Sequence, residues 1–256
     1  MITLTTDLGN RDYYAGAIKG ELLRAIPNAN IIDISHEIEK FEIQHAAFVI
    51  KNAYKHFPSQ TIHLIGVNTF DVADAATLIV KHDDHFFIAP DNGLFGLIWD
   101  GITPKEIFEV ALTIDEISST LPLSDVYVRA AAHIAAGKTL NEIAKQVSNF
   151  KMRINSRPTI SVDHLKGSVI HLDSFFNAIT DIKKEEYDRV VKGRNVTVHF
   201  KNYHIKQLSR NYADVSEGDL VVFFNTAGYL EIALNKGKAN TLLNINRGDA
   251  VLVEFA

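Results

Sequence analysis

Up to about residue 150 the apolar residues of this chain alternate between short runs suited to strands and longer stretches at helical spacing; beyond that point only short runs remain. ITLTTD reads as a strand, YYAGAIKGELLRAI as a helix and NIIDIS as the next strand. In EIQHAAFVIKNAYKHF, residues Ile43, Ala46, Ala47, Ile50 and Tyr54 recur on one face of a 3.6-residue period, which predicts a helix packed on a sheet. TIHLIGV follows as a buried strand, ATLIVK and HFFIAP as two more joined by the turn HDDH, and SDVYVRAAAHIAAGK as a helix closed by Gly137. Strand and helix alternating in this way call for a parallel sheet, because each connection must carry the chain back across a sheet face.

After the break at Ser156 to Pro158 the pattern is GSVIHLD, NVTVHF, DLVVFFN, YLEIAL and DAVLVEF, with turns marked by Gly193, Gly218, Gly228 and Arg247 to Asp249. Short strands at this spacing imply a small barrel or sandwich. The expected organisation is α/β: an N-terminal α/β domain over residues 1–153 with a mainly parallel sheet, a linker over 154–164, and a small C-terminal β-barrel domain over 165–256. With 46% apolar residues, 256 residues suffice for such cores.

Several classes are disfavoured at once. A formal charge of −5, from 26 basic and 31 acidic residues, offers no broad cationic surface for a phosphate backbone, so nucleic acid is not an expected partner. The absence of cysteine removes disulfides, thiolate nucleophiles and thiolate-bound metals. No apolar run reaches the roughly 20 residues of a membrane span, and MITLTTDLG lacks a basic then apolar leader, so the reading is cytoplasmic with no membrane partner.

Asp7 ends the first strand in TTDLGNRDYYAG, where open α/β sheets collect ligands; a carboxylate there can accept both hydrogen bonds of a ribose diol, or simply cap the next helix. In DISHEI, Asp33, Ser35 and His36 resemble parts of a nucleophilic site, but no GxSxG elbow accompanies them. His82 and His85 flank two aspartates, more simply a polar hairpin tip than a metal site, and no metal is expected. APDNGLFG is a turn that either supports a functional loop or only reverses the chain. Asp173 and Asn177 bracket Phe175 and Phe176 near a strand end, where a carboxylate can bind an ammonium and an amide can read a purine edge. Asn225 and Thr226 precede the turn at Gly228, and IGVNTFDVADAA places Asn68, Asp71 and Asp74 after a buried strand with no base beside them.

Taken in order, TTDLGNRDYYAGAIKG, DISHEI, HAAFVIKNAYKHFP, APDNGL, LDSFFNAITD and FNTAGYLEIALNKG resemble the S-adenosyl-L-methionine hydroxide adenosyltransferases, relatives of the fluorinases and chlorinases. The resemblance spans nearly the whole chain and implies an α/β domain followed by a β-barrel, assembled as homotrimers with each site between subunits. It implies no cofactor, with S-adenosylmethionine as substrate or ligand. It makes Asp7 the ribose-binding carboxylate, Asp173 the partner of the methionine ammonium, Asn177 the adenine reader, Tyr212 a wall of the adenine pocket and Thr226, beside Asn225, the contact of the methionine carboxylate. Phe41 falls where halogenating relatives have tryptophan, and Ala227 where they often have arginine.

The water-handling residues depart from the pattern. Where hydrolases of this family read roughly VVDPGVG, then an arginine, then HGRD, this chain has Asn68 for the aspartate, Ala75 at or near the arginine and Pro122 for the histidine; Asp125 of the last motif survives. Charge is lost at both Asn68 and Ala75, which avoids stranding one member of a pair. Three readings follow. The first is cleavage of S-adenosylmethionine by water, positioned by Asn68 with Asp71 or Asp74 as substitute base. The second is binding of the same ligand without turnover, and the third, ranked last, is transfer to another nucleophile such as halide.

Overall fold

The structure, a computed structural model, describes residues 1–69, 76–111, 121 and 123–256. It falls into two compact units, Met1–Asn155 and Ser156–Ala256.

In the first unit, β1 (Ile2–Thr6), β2 (Ile31–Ser35), β3 (Ile62–Gly66), β4 (Thr77–His82), β5 (His85–Pro90), β6 (Glu106–Val110) and β7 (Ala144–Val147) form one sheet in the order β2-β1-β3-β5-β4-β6-β7. The half β2-β1-β3-β5 is parallel, and β4, β6 and β7 join it antiparallel, so the sheet is mixed. The reversal begins in HDDH: Asp83 (φ 48°) and Asp84 (φ 63°) are both left-handed, the backbone of a two-residue hairpin whose twist matches that of its strands. A hairpin this tight leaves no room for a crossover helix, so β4 and β5 must run antiparallel.

Helices cover both faces. On one, α1 (Tyr14–Ala25) buries Ala15, Ile18 and Leu22 with Ile2, Leu4, Ile62 and Leu64 of the sheet and with the segment running from a π-helical turn (Leu123–Tyr127) into α4 (Val128–Ala135). On the other, α2 (Ile43–Ala53) buries the face read from the sequence, together with α3 (Leu94–Ile98), against Ile65, Val67, Phe87 and Ala89. Every residue of β1 and β3 is buried, as strands covered on both faces must be. β6 and β7 carry no clear strand signal because charged and polar residues interrupt EIFEV and AKQV.

The second unit holds β8 (Thr159–Ile160), β9 (His164–Leu172), β10 (Ala178–Lys183), β11 (Val196–Phe200), β12 (Tyr203–Ile205), β13 (Leu220–Phe224), β14 (Tyr229–Leu234) and β15 (Ala250–Phe255). They form one antiparallel, barrel-like sheet, β12-β11-β15-β9-β10-β14-β13, with β8 added against β9. Leu165, Val169, Ile182, Val198, Leu230, Ile232, Val251 and Val253 fill its core. The reading of this half as strands alone is corrected by α5 (Lys184–Val191) and the short α6 (Ala239–Leu242). α5 lays Tyr187, Val190 and Val191 on the barrel core, and its Glu185 and Glu186 in the first turn and Arg189 in the last suit the helix dipole. Within the stretch read as a linker, Asn155 donates to Leu97 O (2.8 Å) and Asp100 Oδ1 (3.0 Å), while Thr159 and Ile160 pair with Lys166 and Leu165.

HDDH also divides its two histidines. His82 stands at the tip beside Trp99, whereas His85, expected in the same polar turn, is buried. Its Nδ1 lies 3.1 Å from Nε2 of His63, whose Nδ1 is 2.7 Å from Thr3 Oγ1. The parallel register of β3 beside β5 brings the two rings together. Among the described residues no group of three or more His, Asp or Glu side chains is arranged to hold a metal.

Candidate functional site

β1 lies between β2 and β3; the chain passes from β1 to β2 through α1 on one face and from β2 across to β3 through α2 on the other. The carboxyl ends of β1 and β3 therefore flank a switch point of the sheet, where α/β folds open a crevice. Asp7 follows the end of β1 and Asn68 follows β3 by one residue. Asp7 Oδ2 accepts from the main-chain N–H of Phe41 (3.0 Å) and of Asn68 (3.3 Å). Both donors are left-handed, Phe41 at φ 66° and Asn68 at φ 50°. An aromatic residue does not hold that conformation cheaply; about 1 kcal/mol or more must be offset by its surroundings, and such positions cluster at ligand sites. The two amides fix the carboxylate through one oxygen and leave Oδ1 without a hydrogen-bond partner among the described residues. The Lys40 ammonium donates to the main-chain oxygen of Asp7. Phe41 itself is 69% exposed, an apolar ring standing beside the carboxylate loop with little cover.

The PDNG turn supports this loop. Buried Asn92 donates through Nδ2 to the carbonyls of Val67 (3.1 Å) and Asn68 (3.2 Å), and its Oδ1 accepts from Leu94 N (3.2 Å). Gly93, at φ 97°, starts α3, and Gly96 lets the backbone of Arg153 approach so closely that a Cβ would stand 2.4 Å from its carbonyl oxygen.

In the second unit the stretch read as a possible ligand site is a connected polar network. Asp173 Oδ1 accepts from Phe175 N (3.0 Å) and Asn177 N (2.8 Å), closing a tight turn in which Phe176 is left-handed at φ 67°. Asn177 Nδ2 donates to Asp173 Oδ2 (3.2 Å) and Tyr212 OH (3.0 Å); because the carboxylate only accepts, this orients the amide and leaves Asn177 Oδ1 available as an acceptor. Tyr212 donates to Glu231 Oε1 (2.5 Å), and Asn225 Nδ2 donates to Glu231 Oε2 (3.0 Å). Burial pushes the Tyr212 hydroxyl well above the ordinary phenol range, and the facing Glu231 and Asp173 charges push it further. Asn225 Oδ1 accepts from Ala227 N and Tyr229 N (both 3.1 Å), which shapes the turn carrying Thr226, exposed and next in the chain.

The structure thus gathers Asp7, Phe41 and Asn68 at one constellation and Asp173, Asn177, Tyr212 and Asn225 at another. Asp125, read as a survivor of the water-handling motif, is buried in the π-helical turn and paired with Arg129 at 2.9 Å. Asp71, Asp74, Ala75 and Pro122 lie outside the described residues. One residue escaped the sequence reading. Glu231 joins Tyr212 to Asn225, and its signal was available: it is the one charged residue in the fully buried strand YLEIAL. His36, named from the sequence as part of a possible nucleophilic site, is instead buried beneath the Asp7 loop, and no spacing rule links it to Thr6, its partner at 2.7 Å.

By fold and site this is a two-unit protein in which a sheet covered on both faces precedes an antiparallel barrel, each presenting fixed acceptors suited to a small polar ligand. The chain belongs to the SAM hydroxide adenosyltransferase family: residues 2–144 match the model of its N-terminal domain and residues 167–252 that of its C-terminal domain. It is similar to an (R)-S-adenosyl-L-methionine hydrolase of Methanocaldococcus jannaschii, 30% identical over 100% of this chain and 96% of the relative. It is also similar to a fluorinase of Actinoplanes sp., 24% identical over 100% of this chain and 98% of the relative. A solved structure of an uncharacterized conserved protein from Thermotoga maritima covers 99% of both chains with a TM-score of 0.89 at 29% identity.

Proposed function

We propose that this protein binds (R)-S-adenosyl-L-methionine and cleaves it with water at the ribose 5′ carbon, releasing adenosine and L-methionine. The observation that carries this reading is the Asp7 carboxylate, held through Oδ2 by two main-chain amides and, among the described residues, open at Oδ1, an acceptor arranged for a ribose diol. The hydrolase relative supports the choice of substrate and reaction. Asn177 Oδ1 serves as acceptor for an exocyclic amino group of the base, with Tyr212 as the neighbouring wall. Asp173 takes the amino-acid ammonium, and Asn225 with Thr226 takes the carboxylate.

In the reaction the water oxygen forms a bond to C5′ while the C5′–S bond breaks. Its electron pair passes to sulfur, turning the sulfonium into the neutral thioether of methionine, and the water proton leaves to solvent or a base. No charged leaving group needs stabilising, so most of the catalysis lies in aligning water with the C–S bond and excluding competing solvent. Asn68 holds that water as a hydrogen-bond partner and cannot take its proton near neutral pH, which assigns proton removal to solvent or to Asp71 or Asp74. General acid–base assistance is typically worth about 10²–10⁴-fold, so this enzyme is slow by the standard of relatives that keep the charged set. The triple variant Asn68→Asp, Ala75→Arg, Pro122→His is expected to raise turnover by about that factor.

Binding without turnover is the second reading, favoured by the amide at position 68 and by the pairing of Asp125 with Arg129. Incubation with the substrate, followed by chromatography of adenosine and methionine beside calorimetric binding, separates the two. Release above the enzyme-free rate supports hydrolysis, and binding with no release sinks it. A cytoplasmic homotrimer with sites shared between subunits completes the proposal and rests on the sequence resemblance; sedimentation equilibrium tests the assembly.

A further inference from the structure

DISHEI was read from the sequence as a possible nucleophilic site, and the structure gives its histidine other work. His36 is 2% exposed and Thr6 fully buried, with His36 Nδ1 2.7 Å from Thr6 Oγ1. On the far side of the ring, Nε2 lies 3.1 Å from Asp33 Oδ1, off the line of an ideal hydrogen bond, and Asp33 Oδ2 is 2.5 Å from the Lys19 ammonium. Partial burial pushes the Asp33 carboxyl up, but the Lys19 hydrogen bond and the Lys19 charge work against it, and the carboxyl lies below its ordinary range. Thr6 Oγ1 also accepts from Leu8 N (3.3 Å). The hydroxyl hydrogen of Thr6 then needs an acceptor, and among the described residues Nδ1 is the one within reach. A charged imidazolium would leave that buried hydrogen without one, at the cost of an unsatisfied donor. The neutral ring carrying its hydrogen on Nε2 gives the Thr6 hydroxyl its acceptor and keeps the Nε2 hydrogen on the side facing Asp33.

A nucleophilic role for Thr6 fails because no substrate can reach an atom buried in the sheet. What the chain of contacts does control is the main chain on either side of Asp7. Thr6 and Leu8 flank Asp7 and are tied together through Oγ1. The same loop is stitched to the 36–38 segment by Gly9 N to His36 O (2.7 Å) and Ile38 N to Thr6 O (3.3 Å). That segment leads directly to Phe41, whose amide holds Asp7 Oδ2. We propose that Asp33, His36 and Thr6 form a positioning relay that sets the backbone under Asp7, so that His36, which touches no ligand, governs how well the carboxylate meets a ribose diol. This rests on the ribose-binding role given to Asp7 above and extends it to three residues without a ligand contact.

The test has two arms. Long-range proton–nitrogen NMR on protein labelled at histidine nitrogen is expected to find His36 neutral with its hydrogen on Nε2; a hydrogen on Nδ1, or the imidazolium, overturns the relay. Calorimetry then compares adenosine with 2′,3′-dideoxyadenosine, which lacks the diol. Thr6→Val is expected to weaken adenosine by about tenfold, one hydrogen bond's worth, and to leave the dideoxy ligand unchanged, with Thr6→Ser restoring the preference. Equal weakening of both ligands would mean plain structural damage, and an undiminished preference in Thr6→Val would mean that the relay does nothing; either defeats the proposal while leaving Asp7 its role. Wild-type protein that does not distinguish the two ligands overturns the role of Asp7 itself, and the relay with it.

Discussion

At the scale of single residues, the chemistry depends on how far carboxylates are committed before any ligand arrives. Asp7 keeps one oxygen open among the described residues, and replacing it by asparagine removes the charge that makes its bonds to hydroxyls strong. Asp7→Asn is expected to weaken adenosine binding by about ten- to a hundredfold, since bonds to charged groups contribute roughly 1.5–3 kcal/mol. Unchanged calorimetric affinity would place the ribose elsewhere. Glu231 is the opposite case, a buried carboxylate with both oxygens taken by Tyr212 and Asn225. Burial is the first cause of the raised Tyr212 ionisation and Glu231 the second, so Glu231→Gln should bring Tyr212 to ionise at lower pH than in the wild type. Ultraviolet difference titration of the two proteins reads this directly; coincident curves would contradict the network.

At the scale of elements, the site loop owes its shape to α3 and the turn before it. Asn92→Ala strips the donor from the carbonyls of Val67 and Asn68 and should cost about 1–3 kcal/mol of stability. Adenosine affinity should fall alongside, because the Asn68 amide is one of the two that hold Asp7. Gly96→Ala would push a methyl group onto the Arg153 carbonyl at 2.4 Å, and overpacking against backbone costs about 1–3 kcal/mol. Urea unfolding checks both, and wild-type midpoints would show that the loop is held some other way. These supports explain what was legible in advance. The turn residues of APDNGL identified a turn, but the choice between supporting a site and reversing the chain depended on where the Asn92 side chain points, and no local pattern encodes that.

At the scale of the whole molecule, the burial of His63 makes stability depend on pH. Its ring is pushed down to about 3, by burial first and by the facing His85 second. His85 is also lowered, by its own burial. Between an ordinary value of about 6.5 and that depressed one, the unfolded chain holds a proton that the folded chain refuses. The neutral state is therefore fully favourable above about pH 6.5, and stability drains away as pH falls toward 3, by roughly 3–5 kcal/mol in all. Denaturation midpoints followed from about pH 7.5 to about pH 5 should decline, less steeply in His63→Gln. Equal slopes would mean that other groups carry the acid sensitivity.

What the sequence determined by itself was most of what has a short period: the alternating strands and helices of the first half as far as β5, the main strands of the second, the buried face of α2, and the order of motifs that marks the family. These are legible because side-chain direction repeats every 2 or 3.6 residues and needs no distant partner. The addition of β6 and β7 to the sheet, the meeting of His63 with His85, and the joining of Tyr212, Glu231 and Asn225 were decided only by the tertiary structure. So was the pinning of Asp7 by amides 34 and 61 residues away. In each of these the partners come from separate strands or loops, and which of many compatible partners meet is settled when the sheets take their register and the cores close.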